Sequence, residues 1–195
     1  MNPSQDNIQL AHAVATAIGI DPQVYAYHDD DKENTLHILN CKDPLDLNNY
    51  IYCTIGLSDF PNKIEMKDGS ETNIPVELLL SGNKSSNKWA NVLSAVGFHM
   101  TKNQWTCQPG AVFKNMVNIY HPDITLKHLL FVEPLMWQEK LDAMKLSSKK
   151  VYFLLLIPIS DAECSYREKH GFNALEKLFM KHEIDITNLH RPSVL

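Results

Sequence analysis

Four side chains that could bind a metal or transfer protons lie within a stretch of thirteen residues: His121, Asp123, His128 and Glu133. Imidazole and carboxylate groups are the ligands that zinc and iron prefer, and three of them on one rigid element could hold such an ion. However, His121 and Asp123 flank a proline in a predicted loop, whereas His128 lies inside a predicted strand. Their spacing matches no metal-binding motif. Packing and turn roles are therefore favoured, and neither a metal nor a cofactor is expected.

The four cysteines offer a second kind of chemistry, since Cys107 or Cys164 beside a histidine could act as a nucleophile. Cys164 lies in the first turns of a predicted helix, where the helix dipole would lower its pKa. No two cysteines have the CxxC spacing of a zinc or redox site. The sequence places no histidine beside either thiol, so buried structural thiols are expected.

Glu163 could form an acid and base pair with Asp161 or Glu168, but a structural role is favoured. Ser160 and Glu163 have the spacing of a capping box, in which the glutamate binds back to the start of its helix. Phosphate-binding glycine loops and the motifs GxSxG and HExxH are all absent from the sequence. We therefore predict no catalytic residues and no enzyme, with a small metal-dependent enzyme built on His121, Asp123 and His128 as the least favoured alternative.

Charge is unevenly distributed along the chain. Residues 1–80 carry thirteen carboxylates and four lysines, a net charge of −9, whereas the remainder carries +4, which gives −5 overall. The acidic half includes the run Asp29, Asp30, Asp31 and Glu33, which lacks the alternation and the glycine of a calcium loop. A solvated turn and a surface for a basic protein partner both remain open. A nucleic-acid partner is not expected, because the pI is about 6.0.

Length and hydropathy predict one domain spanning residues 1–195. The longest apolar run, residues 151–157, is too short for a membrane helix, which needs about 20 residues. The first residues lack the basic region and apolar stretch of a secretory signal. A cytoplasmic protein with no membrane partner is therefore expected.

Apolar periodicity predicts the elements of the first half. We expect a helix whose apolar face contains Ile8, Ala11, Ala15 and Ile18 and which ends in a left-handed cap at Gly19. A hairpin should follow, with strands over residues 24–28 and 35–39 on either side of the acidic run. Further strands are expected over 50–57, 63–66 and 75–80. A second helix should be capped by Ser85 or Ser86, with a stripe made of Trp89, Val92, Leu93, Val96 and Met100.

The second half is predicted to hold the centre of the sheet. Residues 126–132 are strand-like, and a short helix should surround Trp137 and Leu141. Residues 150–157 are almost continuously apolar, which is typical of a strand buried on both faces, and Pro158 should end it. Two helices, separated by Gly171, and a last strand through Ile184 and Ile186 should follow. The sequence therefore predicts an α+β fold in one domain, a mixed sheet flanked by helices.

Several of these residues resemble the signature of the suppressor of fused domain. The resemblance rests on the strand 151–157 with Pro158, Ser160, Glu163 and Gly171 after it. Upstream positions fit the same pattern: Trp89, Pro109, Gly110, His128, Pro134 and Trp137. It covers about residues 30–180 and is to the short bacterial form of the family. Trp105, beside Pro109 and Gly110, is read either as core or as an exposed anchor for a partner.

The resemblance implies a non-enzymatic protein-binding domain. The animal member binds and restrains a transcription factor, whereas bacterial members resemble immunity proteins of polymorphic toxins, including LXG-type toxins. We therefore expect an immunity or antitoxin protein that binds a cognate toxin, and a basic nuclease would suit the acidic half. A regulatory or scaffolding protein is the alternative, and the oligomeric state is left open. The expected partner-binding residues, chosen from charge and exposure alone, are Asp29, Asp30, Asp31, Glu33 and Trp105.

Overall fold

Ten strands form in a computed structural model that describes residues 4–83, 88–137, 140–141 and 143–195, and seven of them correspond to predicted strands. Their bounds are β1 Ile20–His28, β2 Thr35–Lys42, β3 Asn49–Ile55, β4 Lys63–Glu65, β5 Glu71–Asn73, β6 Val76–Asn83, β7 Val112–Phe113, β8 His128–Val132, β9 Met144–Lys145 and β10 Lys150–Ile159. The predicted caps Ser85 and Ser86 lie outside the described residues.

Eight of the strands form one mixed sheet in the order β1-β2-β3-β6-β10-β8-β7, with β9 pairing on β10. β6 and β10 run parallel, and the other pairs in this sheet are antiparallel. β4 and β5 form a separate hairpin. The predicted hairpin around the acidic run is therefore confirmed, and it lies at one edge of the sheet.

Within the described residues, four α-helices cover the two faces of the sheet: α1 Gln5–Ile18, α2 Trp89–Asn103, α3 Asp161–His170 and α4 Phe172–Lys181. Side chains along β10 alternate between two apolar clusters. Leu155 packs on the face of α1 and α4, whereas Leu154 and Leu156 pack on the face of α2. Burial on both faces explains why this strand is apolar at nearly every position. The predicted α+β class is confirmed.

Two local predictions, at Gly19 and at Pro158, are wrong. Gly19 is extended, with φ −174°, and its missing side chain instead admits Cys41, whose Cβ would lie 2.5 Å from an added Cβ. Pro158 lies inside β10 opposite Leu129. The pairing of β10 with β6 ends earlier, at Leu156, so the proline interrupts no ladder on that side.

The remaining differences lie at chain segments that pack without regular structure. The short helix predicted around Trp137 and Leu141 is a 3₁₀ helix over Leu135–Trp137. Ile184 and Ile186 form no strand; they pack irregularly against the cluster below α4. Ile186 lies in a turn, and both side chains are half-buried, a spacing that a strand and an irregular tail share.

Candidate functional site

The acidic run closes the β1–β2 hairpin, and its first aspartate is part of the turn itself. Asp29 is buried, and its Oδ1 accepts hydrogen bonds from the backbone N–H groups of Glu33 and Asn34, at 2.9 and 3.1 Å. Oδ2 accepts from the Asn34 amide at 2.8 Å. These bonds from Asn34, together with Lys102, lower the pKa of Asp29 to about 2 although burial opposes them. Asp29 therefore holds the turn, and its carboxylate is not on the surface.

Lys102, in the last turn of α2, fixes the acidic turn against the helix. Its ammonium lies 2.8 Å from Asp31 Oδ2 and 3.3 Å from Asp29 Oδ2. Asp30, Asp31 and Glu33 are exposed. With Asp29 and the two lysines Lys32 and Lys102, the turn keeps an excess of negative charge on a fixed backbone.

Trp105 lies close to this turn, because the same end of α2 contacts both. The Trp105 ring stacks on His99, with the ring centroids 4.4 Å apart, and meets Phe113 edge-on at 4.9 Å. His99 in turn lines a small cavity with Asp29, Asp30 and Lys102. Trp105 remains 39% exposed. His99 therefore links Trp105 to the acidic turn, and we call Asp30, Asp31, Glu33, His99 and Trp105 the acidic-turn surface.

The outer strand β1 extends this surface along the sheet edge. Nearly all of its residues are exposed, including Ile20, Val24 and Tyr25, which are 44%, 48% and 52% exposed. Within the described residues, β1 pairs with β2 alone. An exposed edge with apolar side chains is suited to contact with another protein.

The residues considered for metal binding do not come together. His128 is buried: its Nδ1 accepts from the Asn115 backbone N–H at 2.9 Å, and its Nε2 lies 2.9 Å from Asp161 Oδ1. His121 and Asp123 instead line an open cleft of about 1010 Å³, where burial and the charge of Lys88 lower the pKa of His121. In the part of the chain that the structure describes, no three histidine, cysteine or acidic side chains are arranged to hold a metal ion.

All four cysteines are buried free thiols. Burial raises the pKa of Cys107 to about 12. It also raises the pKa of Cys164, which corrects the expectation that the helix dipole would lower it. Neither thiol is therefore suited to form a thiolate nucleophile at neutral pH.

The Ser160 and Glu163 capping box is present, and Glu163 also has a partner that the sequence did not suggest. Ser160 N–H donates to Glu163 Oε2 at 2.9 Å, and Glu163 N–H donates to Ser160 Oγ at 3.1 Å. Arg191 binds the same carboxylate from the C-terminal tail, with Nη1–Oε1 at 2.8 Å and Nη2–Oε2 at 3.1 Å. Burial raises the pKa of Glu163, but the bonds from Arg191 and two backbone N–H groups outweigh it, so the pKa is lowered.

The other signature residues build the framework. Trp89 is buried against Gly82, where an added Cβ would lie 2.0 Å from the indole nitrogen. Gly110 and Gly171 have φ values of +85° and +86°, a region that favours glycine. Trp137 is buried beside the cluster below α1 and α4, and the chain turns into its 3₁₀ helix at Pro134. Pro109 borders a second cavity with Pro134.

A buried carboxylate in β6 was missed by sequence reasoning. Glu77 is fully buried, and its Oε1 accepts from the backbone N–H groups of Gly56 and Ser58, at 2.9 and 3.0 Å. Oε2 accepts from Thr54 Oγ1 at 2.6 Å and from the Leu57 N–H at 3.2 Å. Burial raises the pKa of Glu77 despite these donors. The isolated charge in an apolar run was the available signal, since such a residue must find buried partners.

Comparison with known proteins places this fold in a described family. The family model for suppressor of fused protein matches residues 32–192. Immunity protein YqcF of Bacillus subtilis (strain 168) is 35% identical over 195 residues, covering all of both chains. Among the helices of the described residues, none is long and apolar enough to cross a membrane.

Solved structures share this fold at low sequence identity. A suppressor of fused homolog from Neisseria gonorrhoeae FA 1090 superposes with a TM-score of 0.71 and 16% identity, covering 90% of this chain and 88% of that one. A structure of the Sufu-Fu complex superposes with a TM-score of 0.65 and 15% identity, covering 96% of this chain and 90% of that one. At these identities the likeness concerns the fold alone.

Proposed function

This chain belongs to the suppressor of fused family, and we propose that it is a bacterial immunity protein that neutralises one cognate toxin by binding it directly. The observation that carries the proposal is the similarity to immunity protein YqcF, which runs from end to end of both chains. Similarity over the full length of both chains favours a shared mode of action.

The acidic-turn surface supports a basic partner. Its carboxylates are exposed on a turn that Asp29 and Lys102 hold in place, so little ordering is needed when a partner binds. An acidic face raises the association rate with a basic one. A nuclease toxin carries such a basic face where it holds its substrate. Asp30, Asp31, Glu33 and Trp105 are the residues we assign to the contact, and Asp29 is assigned to the turn.

The proposed mechanism requires no catalysis, and the site chemistry agrees with that. The candidate nucleophiles Cys107 and Cys164 are buried with raised pKa values. Glu163 and His128 are held by structural hydrogen bonds. Such an inhibitor would act in the cytoplasm, where it meets the toxin before export.

The test is co-expression of this chain with the toxin encoded beside it. We expect rescue of growth and a complex that co-purifies with the full-length chain. Rescue without a complex would contradict direct binding. The absence of both would contradict the immunity role and would leave a regulatory or scaffolding protein of the same family.

Charge-reversal variants test whether the toxin contacts the acidic-turn surface. The variant D30K/D31K/E33K should weaken toxin binding at least about tenfold at low salt, and the difference should shrink as salt screens the charges. The control E65K/D68K/E71K makes the same charge change on the exposed β4–β5 hairpin and should bind nearly as the wild type does. Equal weakening in both variants would exclude a specific acidic-turn contact.

A further inference from the structure

We infer that a groove beside α4 is a second protein-binding surface, which takes an amphipathic segment with apolar anchors and flanking Lys or Arg side chains. The groove encloses about 430 Å³ on the side of the sheet that faces away from α2. Its floor consists of buried side chains from the sheet and from α4: Val132, Leu155, Ile157 and Phe179.

The walls of the groove are large apolar side chains that face water. Leu135, Met136 and Met180 are 50%, 54% and 59% exposed. Contiguous exposed apolar surface with a polar rim is typical of protein interaction sites. Methionine is unbranched and polarisable, so two methionines in the walls allow the groove to fit different apolar side chains.

Charge identifies the class of occupant. Four carboxylates stand among the lining residues, and no lysine, arginine or histidine does: Glu133, Glu176, Glu183 and Asp185. Within the described part of the chain, none of the four forms an ion pair. A segment with basic residues on both sides of its apolar anchors would neutralise this rim. Phosphate groups of nucleic acids or lipids would be repelled.

The occupant we infer is a helix that lays one apolar face into the groove. Such segments present anchors at i, i+3 or i+4, and i+7. A second copy of this chain is a poorer occupant, because each copy carries a net charge of −5. The groove would bind a basic amphipathic segment whether or not the chain neutralises a toxin.

The test uses two synthetic helical peptides of about 15 residues and the full-length chain. Both peptides carry leucines at i, i+3 and i+7; one has lysines around them, and the other has glutamates at the same positions. We expect saturable binding of the lysine peptide, at least about tenfold tighter than that of the glutamate peptide at low salt. Equal affinities, or no binding of the lysine peptide up to about 1 mM, would overturn the inference.

Two sets of variants assign the binding to this groove. E133K/E176K/E183K should reverse the preference between the peptides, whereas E65K/D68K/E71K, with the same charge change, should keep it. M180S removes part of a wall of the groove and should weaken binding of the lysine peptide about tenfold. Its control is I119S, which replaces an apolar side chain outside the groove that is 58% exposed. This variant should bind the lysine peptide as the wild type does. If the paired variants behave alike, the peptide binds another surface. Because these side chains are exposed, apart from the half-buried Glu176, circular dichroism should show unchanged folding.

Discussion

At the scale of single residues, carboxylate groups serve two different purposes in this protein. The hydrogen bonds that each carboxylate accepts decide which purpose it serves. Glu77 has both oxygens occupied by donors from Thr54 and from the backbone of Gly56, Leu57 and Ser58. Asp30 and Glu33 are exposed instead. A carboxylate with four donors and full burial organises the chain around it, whereas an exposed one remains available to a partner.

The substitution E77Q should lower the free energy of unfolding by about 2 kcal/mol. Each oxygen of Glu77 accepts at least one backbone N–H, so the amide NH₂ of glutamine must face a donor in either orientation. Thr54 cannot relieve this freely, because its Oγ1 also accepts from the Leu78 N–H at 2.9 Å. Urea unfolding measures the difference.

The matched control for this substitution is E71Q, at an exposed position in β5. Its effect should stay within about 0.5 kcal/mol. Equal effects at Glu77 and Glu71 would show that the buried bonds contribute nothing to stability.

Single-residue roles are the part that the sequence predicts least well. Asp29, Asp30 and Asp31 are identical in type and consecutive, yet one is buried in the turn, one pairs with Lys102 and one lies near Tyr120. The difference arises from the path of the backbone and from a lysine about 70 positions away. Local sequence carries neither, so all three received the same predicted role.

At the scale of elements, the C-terminal tail is fastened to the β10–α3 junction. Glu163 caps α3 and accepts from Arg191 and from the Val194 N–H, and Arg191 also donates to the Pro158 carbonyl at 2.9 Å. Residues 183–187 of the same tail line the groove beside α4. The capping box therefore positions both a helix and a binding surface.

Acid should release this tail from the β10–α3 junction, because the pKa of Glu163 is lowered in the folded chain. The ionised pair therefore stabilises the fold above the ordinary glutamate value and loses that contribution as pH falls through the lowered pKa. E163Q should lower the free energy of unfolding by about 3 to 5 kcal/mol at neutral pH, because it leaves Arg191 buried without its charge partner. The gap between wild type and E163Q should narrow below about pH 4.

Urea unfolding at several pH values checks this, with E65Q as the control at an exposed glutamate of β4. The E65Q curve should run parallel to that of the wild type. A gap between wild type and E163Q that stays constant down to pH 3 would contradict the assignment.

Helices and strands were predicted correctly where one apolar periodicity dominates the sequence. α2 buries its predicted stripe, and β10 is apolar because it lies between β6 and β8. α1 buries a different stripe, through Leu10, and Ile8 of its predicted face is exposed. The errors lie where geometry depends on distant neighbours. Gly19 is needed for contact with Cys41, and Pro158 is accepted because β6 no longer pairs at that point.

At the scale of the whole molecule, the sheet separates the two proposed binding surfaces. The acidic-turn surface adjoins α2, whose side chains fill one apolar cluster. The groove beside α4 is floored by the other cluster, and the two clusters share no residue.

A partner on one surface should therefore leave the other open. We expect the chain saturated with the lysine peptide to bind the toxin with unchanged affinity, within about twofold, because the two sites share no side chain and the packed sheet between them is rigid. Calorimetric titration of toxin into the peptide complex, with the glutamate peptide as control, measures this. Competition between toxin and lysine peptide would instead place the toxin in the groove. In that case D30K/D31K/E33K would leave toxin binding intact while E133K/E176K/E183K abolished it.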